Sequence, residues 1–312
     1  YLEGPLLIVA GAGSGKTKVL TSRIAHIIKS KKAYPNQILS VTFTNKASQE
    51  MQTRVSSMLK KEAIGLSWLG TFHSVSAKIL RKHAGAVGLN SNFSIIDQDD
   101  QIRLIKNICK SENIDIKKLA PNYILSVINN WKNKGLYPEK VTLNKKNIFE
   151  KGILNIYKIY QSKLIDLNAC DFGDLILHCV NIFENNKDIL EIYSNNFKYI
   201  LVDEYQDTNF IQSKWLNFLA KKHNNICCVG DDDQSIYSWR GAEIKNFLEF
   251  DKVYENTKIV RLEKNYRSTQ NILEVASELI SNNQNRVGKN LETTKNTGDL
   301  VKLNCFKNAK DE

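Results

Sequence analysis

The 312-residue chain has no apolar run near the ~18 residues that would cross a membrane. That excludes a transmembrane helix from the sequence reading. Its six cysteines (Cys109, Cys170, Cys179, Cys227, Cys228 and Cys305) include no C-x-x-C pair and no metal-ligand spacing. Zinc-ribbon and dithiol redox chemistry are therefore set aside, and reduced thiols in a cytoplasmic protein are expected. No signal-peptide pattern, internal repeat or low-complexity tract is visible. The chain opens on Tyr1 rather than Met, directly before its first apolar run, and reads as a fragment. Arginine is scarce, so most of the 44 basic residues are lysine; against 33 acidic ones they leave a formal charge of +11. Two readings of that charge stay open. One is a polyanionic partner such as nucleic acid. The other is lysine raised together with Asn and Ile by AT-rich codons. A hydrophobic content of 42% is enough for a core, and the length suits about two domains.

What is present starts with a phosphate cradle. The apolar run Leu6-Leu7-Ile8-Val9 leads into Ala10-Gly11-Ala12-Gly13-Ser14-Gly15-Lys16-Thr17, which opens an amphipathic stretch. A buried strand, a glycine turn and a helix N-terminus in that order direct backbone N–H groups at anionic oxygens. Lys16 can reach terminal phosphates, and the Thr17 hydroxyl suits Mg²⁺. The strict pattern begins with Gly, and Ala10 departs from it by that one residue.

Periodicity divides the chain in three. Short apolar runs alternate with amphipathic helices at first: strands at Leu6–Val9, Ile38–Phe43 and Trp68–Thr71, helices over 17–29, 45–60 and 74–83. From Gly85 to Phe197 the pattern is helical, with stripes at Ile102/Ile105/Cys109, Ile124/Val127/Ile128/Trp131, Ile153/Ile156/Tyr157/Tyr160/Leu164 and Leu175/Ile176/Cys179/Phe183. These read as the core of an inserted helical subdomain. Strands then return at Tyr199–Val202, Ile226–Val229, Ile259–Leu262 and Val301–Cys305, with helices over 211–222 and 269–281 and a polar linker over 281–298.

The strand Tyr199–Val202 ends in Asp203-Glu204. At the carboxyl end of a buried parallel strand, Asp203 is expected to hold Mg²⁺ and Glu204 to orient or deprotonate the attacking water. The plainer alternative is a pair that caps the next helix. After Val229 come Gly230-Asp231-Asp232-Asp233-Gln234-Ser235-Ile236-Tyr237-Ser238-Trp239-Arg240-Gly241-Ala242. Neutral Gln234 can sense a phosphate without competing for the metal. Tyr237 and Trp239 offer two flat faces for bases, although Trp239 could equally be a core residue.

Six blocks in order now carry a resemblance: AGAGSGKT at Ala10–Thr17, TFTNKAS at Thr42–Ser48, GTFHS at Gly70–Ser74, VDEYQDTN at Val202–Asn209, VGDDDQSIYSWRGA at Val229–Ala242 and LEKNYRS at Leu262–Ser268. The chain resembles the UvrD/Rep/PcrA-type DNA helicases of superfamily one, in which Ala at the head of the cradle is common. The resemblance implies an α/β P-loop (RecA-like) parallel sheet over 1–84 and 198–262, an inserted all-helical subdomain over 85–197 and the start of a second RecA-like domain over 263–312. It implies ATP and Mg²⁺ as cofactors, with the cradle residues Ala10–Thr17 on the phosphates and Thr17 and Asp203 on the metal. Glu204 would act on water, and Gln234 would couple the γ-phosphate to the DNA site. Arg267 would be an arginine finger, Tyr266 would stack on adenine, and Arg23 would lie near the nucleotide. Single-stranded DNA would meet Phe43, Thr44, Asn45, Lys46, Thr71, Phe72, His73, Tyr237, Trp239 and Arg240. Outside its block, His73 would read as a structural histidine.

The function implied is an ATP-dependent helicase or translocase that moves 3′ to 5′ and unwinds duplex DNA in repair or replication. Its partners would be single strands, single-strand/duplex junctions and repair proteins, with no membrane, in the cytoplasm at the nucleoid. Three alternatives are a motor subunit of a helicase–nuclease repair complex, a P-loop nucleotide switch without mechanical work, and a non-catalytic DNA-binding module. The family's upstream adenine-reading segment and its later arginine finger are missing from these residues. The 312 residues alone are therefore expected to unwind no duplex and to hydrolyse ATP poorly, which a DNA-stimulated ATPase assay on the fragment checks.

Overall fold

The computed structural model describes residues 1–60, 64–143, 148–284, 286–306 and 308. The elements in chain order are β1 (Leu6–Ala10), α1 (Lys16–Lys29), β2 (Ile38–Thr42), α2 (Asn45–Leu59), β3 (Leu69–Thr71) and α3 (Phe72–Lys82). Then follow β4 (Ser94–Ile95), α4 (Gln98–Ser111), α5 (Pro121–Asn133), α6 (Ile148–Asp166), β5 (Ala169–Cys170), α7 (Phe172–Asn185) and α8 (Lys187–Asn196). The last group is β6 (Tyr199–Val202), α9 (Phe210–Ala220), β7 (Ile226–Gly230), α10 (Lys245–Leu248), α11 (Phe250–Val253), β8 (Lys258–Leu262), β9 (Lys264–Asn265), α12 (Gln270–Ser281) and β10 (Glu292–Thr293).

Unbroken apolar runs such as LLIVA and YILV suit strands covered on both faces. The six-stranded sheet obeys that rule: its order is β3-β2-β6-β7-β1-β8, and its described pairings are parallel. Because side chains alternate along a strand, each run feeds two cores. Leu7, Val9, Leu39, Val41, Ile200, Val202 and Cys228 pack on one face, under α3, α7 and α9. Leu6, Ile8, Ala10, Ile38, Leu201, Cys227 and Val229 pack on the other, under α1 and α2. This is the RecA-like P-loop arrangement that the sequence led us to expect.

The helical insert does not form one bundle. A separate core joins Ile105, Ile108, Ile124, Ile128, Ile153, Tyr157 and Leu164 of α4, α5 and α6. The fourth expected stripe, Leu175/Ile176/Cys179/Phe183 on α7, packs instead in the sheet core beside Val75 and Ile79 of α3. Its apolar face is shared with the sheet because α7 lies between α3 and α9.

Two other expectations are corrected. Val301–Cys305 forms no strand among the described residues, and Val301 and Leu303 are exposed rather than packed in a sheet. The polar stretch 281–298 is more than a linker, since its β10 pairs with β9. The end of the expected third segment, residues 307 and 309–312, lies outside the described residues. Five of the six cysteines are buried and all are free. Burial pushes the Cys227 thiol up to about 11, so this thiol stays protonated and serves packing.

A fully buried charge cluster ties α5 and α6 to the start of α7. Lys132 of α5 meets Asp171 at 2.6 Å and Asp174 at 2.7 Å. Tyr160 donates to Asp171 at 2.9 Å, and Gln161 donates to Asp174 at 3.0 Å. Removing one partner strands the others in a dry interior. Lys132→Met is expected to cost about 3–5 kcal/mol of stability, read by urea unfolding of the variant against the parent.

Candidate functional site

The cradle sits at the carboxyl end of β1, where open α/β sheets receive their ligands. Gly13 has a left-handed backbone (φ +73°), and a Cβ there would lie 2.6 Å from the Arg267 Cβ. Both facts require glycine. Gly15 (φ +96°) is the N-cap of α1, and Ser14 donates to the Gly11 carbonyl at 2.7 Å. Ala10 is the last residue of β1 and wholly buried, without a positive φ. A methyl group therefore fits there at no conformational cost, which explains the departure from the strict pattern.

A cavity of about 440 Å³ opens over this turn. Gly11, Ala12, Gly13, Gly15, Lys16, Thr17, Glu204, Gln234, Tyr266 and Arg267 line it. Sequence reasoning had named these residues from four separate blocks, but not Lys18, Glu50 and Arg54, which also line the cavity. Lys16 Nζ lies 3.2 Å from Glu204 Oε2. The Thr17 hydroxyl donates toward Asp203 Oδ2 at 3.5 Å. A hydroxyl and a carboxylate meeting at the foot of a phosphate cradle are a fitting donor set for Mg²⁺.

Asp203 is buried, and burial raises its pKa to about 6; the Glu204 charge adds to the rise, while Lys16 opposes it. Asp207 is pushed to about 6 by the same two causes. Glu204 itself occupies the left-handed region (φ +52°), unusual for a residue with a side chain.

Three residues that the sequence reading did not single out hold these parts together. Gln206, almost wholly buried, donates to Glu204 at 2.9 Å and accepts from the Asp231 N–H at 3.0 Å. It thereby ties the ends of β6 and β7. Asn265 donates to the Ala12 carbonyl at 2.6 Å and accepts from the N–H groups of Arg267 and Ser268. Tyr266 N–H donates to the Gly13 carbonyl at 2.9 Å. An Asn two and three residues before the bonded N–H groups is an Asx-turn signal that was legible in Asn265-Tyr266-Arg267-Ser268. Asn133 at the end of α5 joins Asn209 at 2.9 Å and the Arg240 carbonyl at 3.3 Å. Nothing in its local sequence marks that role.

On the same sheet edge a second cavity, about 290 Å³, is lined by Phe43, Thr44, His73, Asn133, Asp207, Tyr237 and Arg240 among others. Beside it runs a groove of about 970 Å³ lined by His73, Asn129, Asn130, Phe172, Trp239 and Arg240 among others. Trp239 is 73% exposed. The Arg240 guanidinium lies over both rings, 4.9 Å from Tyr237 and 4.6 Å from Trp239. Thr44 N-caps α2 by accepting from Ala47 N–H at 3.1 Å, and Asn45 and Lys46 are exposed in the first turn. Burial lowers the His73 pKa, so this ring is neutral near pH 7 and offers hydrogen bonds rather than charge.

Three expected site residues lie elsewhere. Phe72 is 1% exposed, in the sheet core with its ring 5.9 Å from Trp215. Thr71 is buried as the N-cap of α3, accepting from Ser74 N–H at 3.1 Å. Both belong to the helix start rather than to an open surface. Arg23 donates to the carbonyls of Tyr1 and Leu2 at 2.6 and 3.1 Å and does not line the phosphate cavity. It sits about two turns along α1 from Lys16, facing the N-terminal segment.

Residues 1–255 match the model of the UvrD/REP helicase N-terminal domain, and residues 260–312 match that of the UvrD-like helicase C-terminal domain. The chain is 49% identical to a probable DNA helicase II homolog of Rickettsia conorii, covering all of this chain and 48% of that protein. It is 46% identical to the ATP-dependent DNA helicase PcrA of Staphylococcus epidermidis, over 99% of this chain and 42% of the relative. It is also 46% identical to PcrA of Bacillus subtilis, over 98% and 41%. The chain thus spans about half the length of the curated relatives it matches.

Asp203 carries a pH prediction. A carboxyl whose pKa is raised on folding binds protons more tightly in the folded state. It destabilises that state once the pH exceeds the unfolded value, fully so above about 6. Asp203→Asn is therefore expected to stabilise the nucleotide-free protein in EDTA by about 1–3 kcal/mol at pH 8. The gain should shrink as the pH falls through 6 toward 4, followed by chemical denaturation at each pH.

Proposed function

The chain belongs to the UvrD/REP helicase family, and from that premise we propose that it forms the ATP-hydrolysing, strand-gripping portion of a DNA motor that moves 3′ to 5′ and opens duplexes during repair or replication. One observation supports this above the others. The ten-residue segment from Asp231 to Arg240 lines the phosphate cavity through Gln234 and the stacking cavity through Tyr237 and Arg240. A change at a nucleotide's terminal phosphate is thus at most six residues from the groups that would hold a base.

The residues suit phosphoryl transfer by position and charge. Backbone N–H groups of the cradle and Lys16 would hold the phosphates. Thr17 and Asp203 would hold Mg²⁺, which when bound neutralises charge on the transferring group. Lys16 pairs with Glu204 at 3.2 Å in the free chain. Incoming phosphates compete for that ammonium and free the Glu204 carboxylate to take a proton from the attacking water. Arg267 and Tyr266 line the same cavity, the first available to charge developing at the γ-phosphate and the second to the base. The exposed first turn of α2 offers N–H groups and Lys46 to a DNA phosphate. The half-buried Phe43 and Tyr237 and the exposed Trp239 offer faces to bases regardless of sequence. Such contacts suit a single strand or a single-strand/duplex junction.

The test uses the intact protein. ATP turnover that rises with single-stranded DNA and strand displacement on a 3′-tailed duplex are expected; turnover indifferent to DNA would favour a nucleotide switch instead. Lys16→Ala and Glu204→Gln should each lower kcat by about 100-fold or more, while single-strand affinity by fluorescence anisotropy stays near that of the parent. Trp239→Ala should weaken single-strand binding by about 1–3 kcal/mol and leave DNA-free turnover in place.

A further inference from the structure

The polar stretch after α12 carries a cation that the mechanism above does not use. Lys289 is almost wholly buried, and its Nζ lies 2.5 Å from Asp231 Oδ1, 2.5 Å from Asp233 Oδ2 and 3.6 Å from Asp232 Oδ1. These three aspartates are also the one carboxylate group close enough to share a metal ion among the described residues. The Lys289 ammonium stands among them. Arg286 adds a two-point pair with Asp233 at 2.6 and 2.7 Å. Val287 N–H donates to Asp232 at 2.8 Å.

The strap has a fixed origin. Arg261 of β8 donates to the carbonyls of Gly288 and Val287 at 3.0 and 3.3 Å, which sets the backbone from which Lys289 projects. Asp231 divides its two oxygens. Oδ1 faces Lys289 and also accepts from Asp233 N–H at 3.1 Å. Oδ2 accepts from the Gln234 side-chain amide. Rotation of the Asp231 carboxylate therefore turns the Gln234 amide, and Lys289 fixes that rotation.

We propose that Lys289 is a positioning residue for hydrolysis: by holding Asp231 it aims Gln234 into the phosphate cavity, and it makes the 286–289 strap the contact through which residues 260–312 set the state of the Asp231–Arg240 segment. Arg286 supports it by holding Asp233. The role goes beyond neutralising charge. Burial would lower the lysine's proton affinity, and the bonds to Asp231 and Asp233 more than restore it, so the ammonium keeps its charge and its three donors. Those donors determine which way each carboxylate faces. The inference rests on the hydrolytic reading of the cavity given above.

The experiment measures ATP turnover of the intact protein with and without a single-stranded oligonucleotide. Lys289→Met alone would leave uncompensated buried carboxylates, so it is paired with Asp233→Asn to preserve folding, with thermal unfolding as the control. The double variant is expected to lose at least tenfold in DNA-stimulated kcat, with KM for ATP and oligonucleotide affinity within threefold of the parent. Lys289→Arg, which keeps a donor and the charge, should recover to within threefold. A kcat within twofold of the parent in the folded double variant would overturn the proposal. So would an equal loss carried by KM, or a Lys289→Arg variant no better than the double variant. A parent protein without DNA-stimulated turnover would overturn the hydrolytic reading and this inference together; normal stimulation in both parent and double variant would remove this inference alone.

Discussion

Parallel pairing of β1, β2, β6 and β7 is the constraint on which the rest of the molecule depends. In a parallel sheet all strands finish on the same edge, so residues far apart in sequence come to share one rim. Val9 pairs with Gly230, and Val41 pairs with Val202. These registers bring Gly11–Thr17, Asp203–Glu204, Asp231–Gln234 and Phe43–Lys46 to neighbouring positions. A slip of one residue in any pair would exchange the side chains that face the two cores, and the close packing of each core opposes it.

Side-chain amides add cross-links to the rim beside the Lys289 and Arg286 ion pairs. Gln206 links the ends of β6 and β7, and Asn265 links the Tyr266–Ser268 turn to the cradle. Side-chain amides can donate and accept at once, so one buried Gln or Asn bridges two loops without adding charge beside the cradle. The charged groups Lys16, Glu204 and Arg267 remain at the cavity wall, where a ligand can reach them. A similar division recurs between α5 and α7. There Lys132 is shared by Asp171 and Asp174 in the interior, while the adjacent Asn133 reaches the Arg240 loop.

Much of this was legible because apolar runs and glycine turns are local signals. The run LLIVA and the glycines after it gave the cradle, and YILV followed by Asp-Glu gave its acidic partner. The burial of Phe72 and Thr71 was not legible in their block: α3 begins at Phe72 itself, and the first turn directs that ring into the core. Arg23, expected near the nucleotide by resemblance, holds the Tyr1 and Leu2 carbonyls in the free chain, about two turns along α1 from Lys16. The Arg286–Lys289 strap was hidden because a polar, lysine- and asparagine-rich stretch looks like a linker until its tertiary partners, three adjacent aspartates, are known. The split of the helical insert was also invisible, since α7 has the same periodicity whichever core receives it.

The left-handed backbone at Glu204 has a consequence for how this protein can change over time. Holding a side-chain-bearing residue at φ +52° stores on the order of 1 kcal/mol. Glycine or asparagine would release that strain and leave the carboxylate's place beside Lys16 empty. Selection for heat resistance alone would therefore draw the position toward those two residues, so a glutamate held there keeps its carboxylate beside Lys16 against that pull.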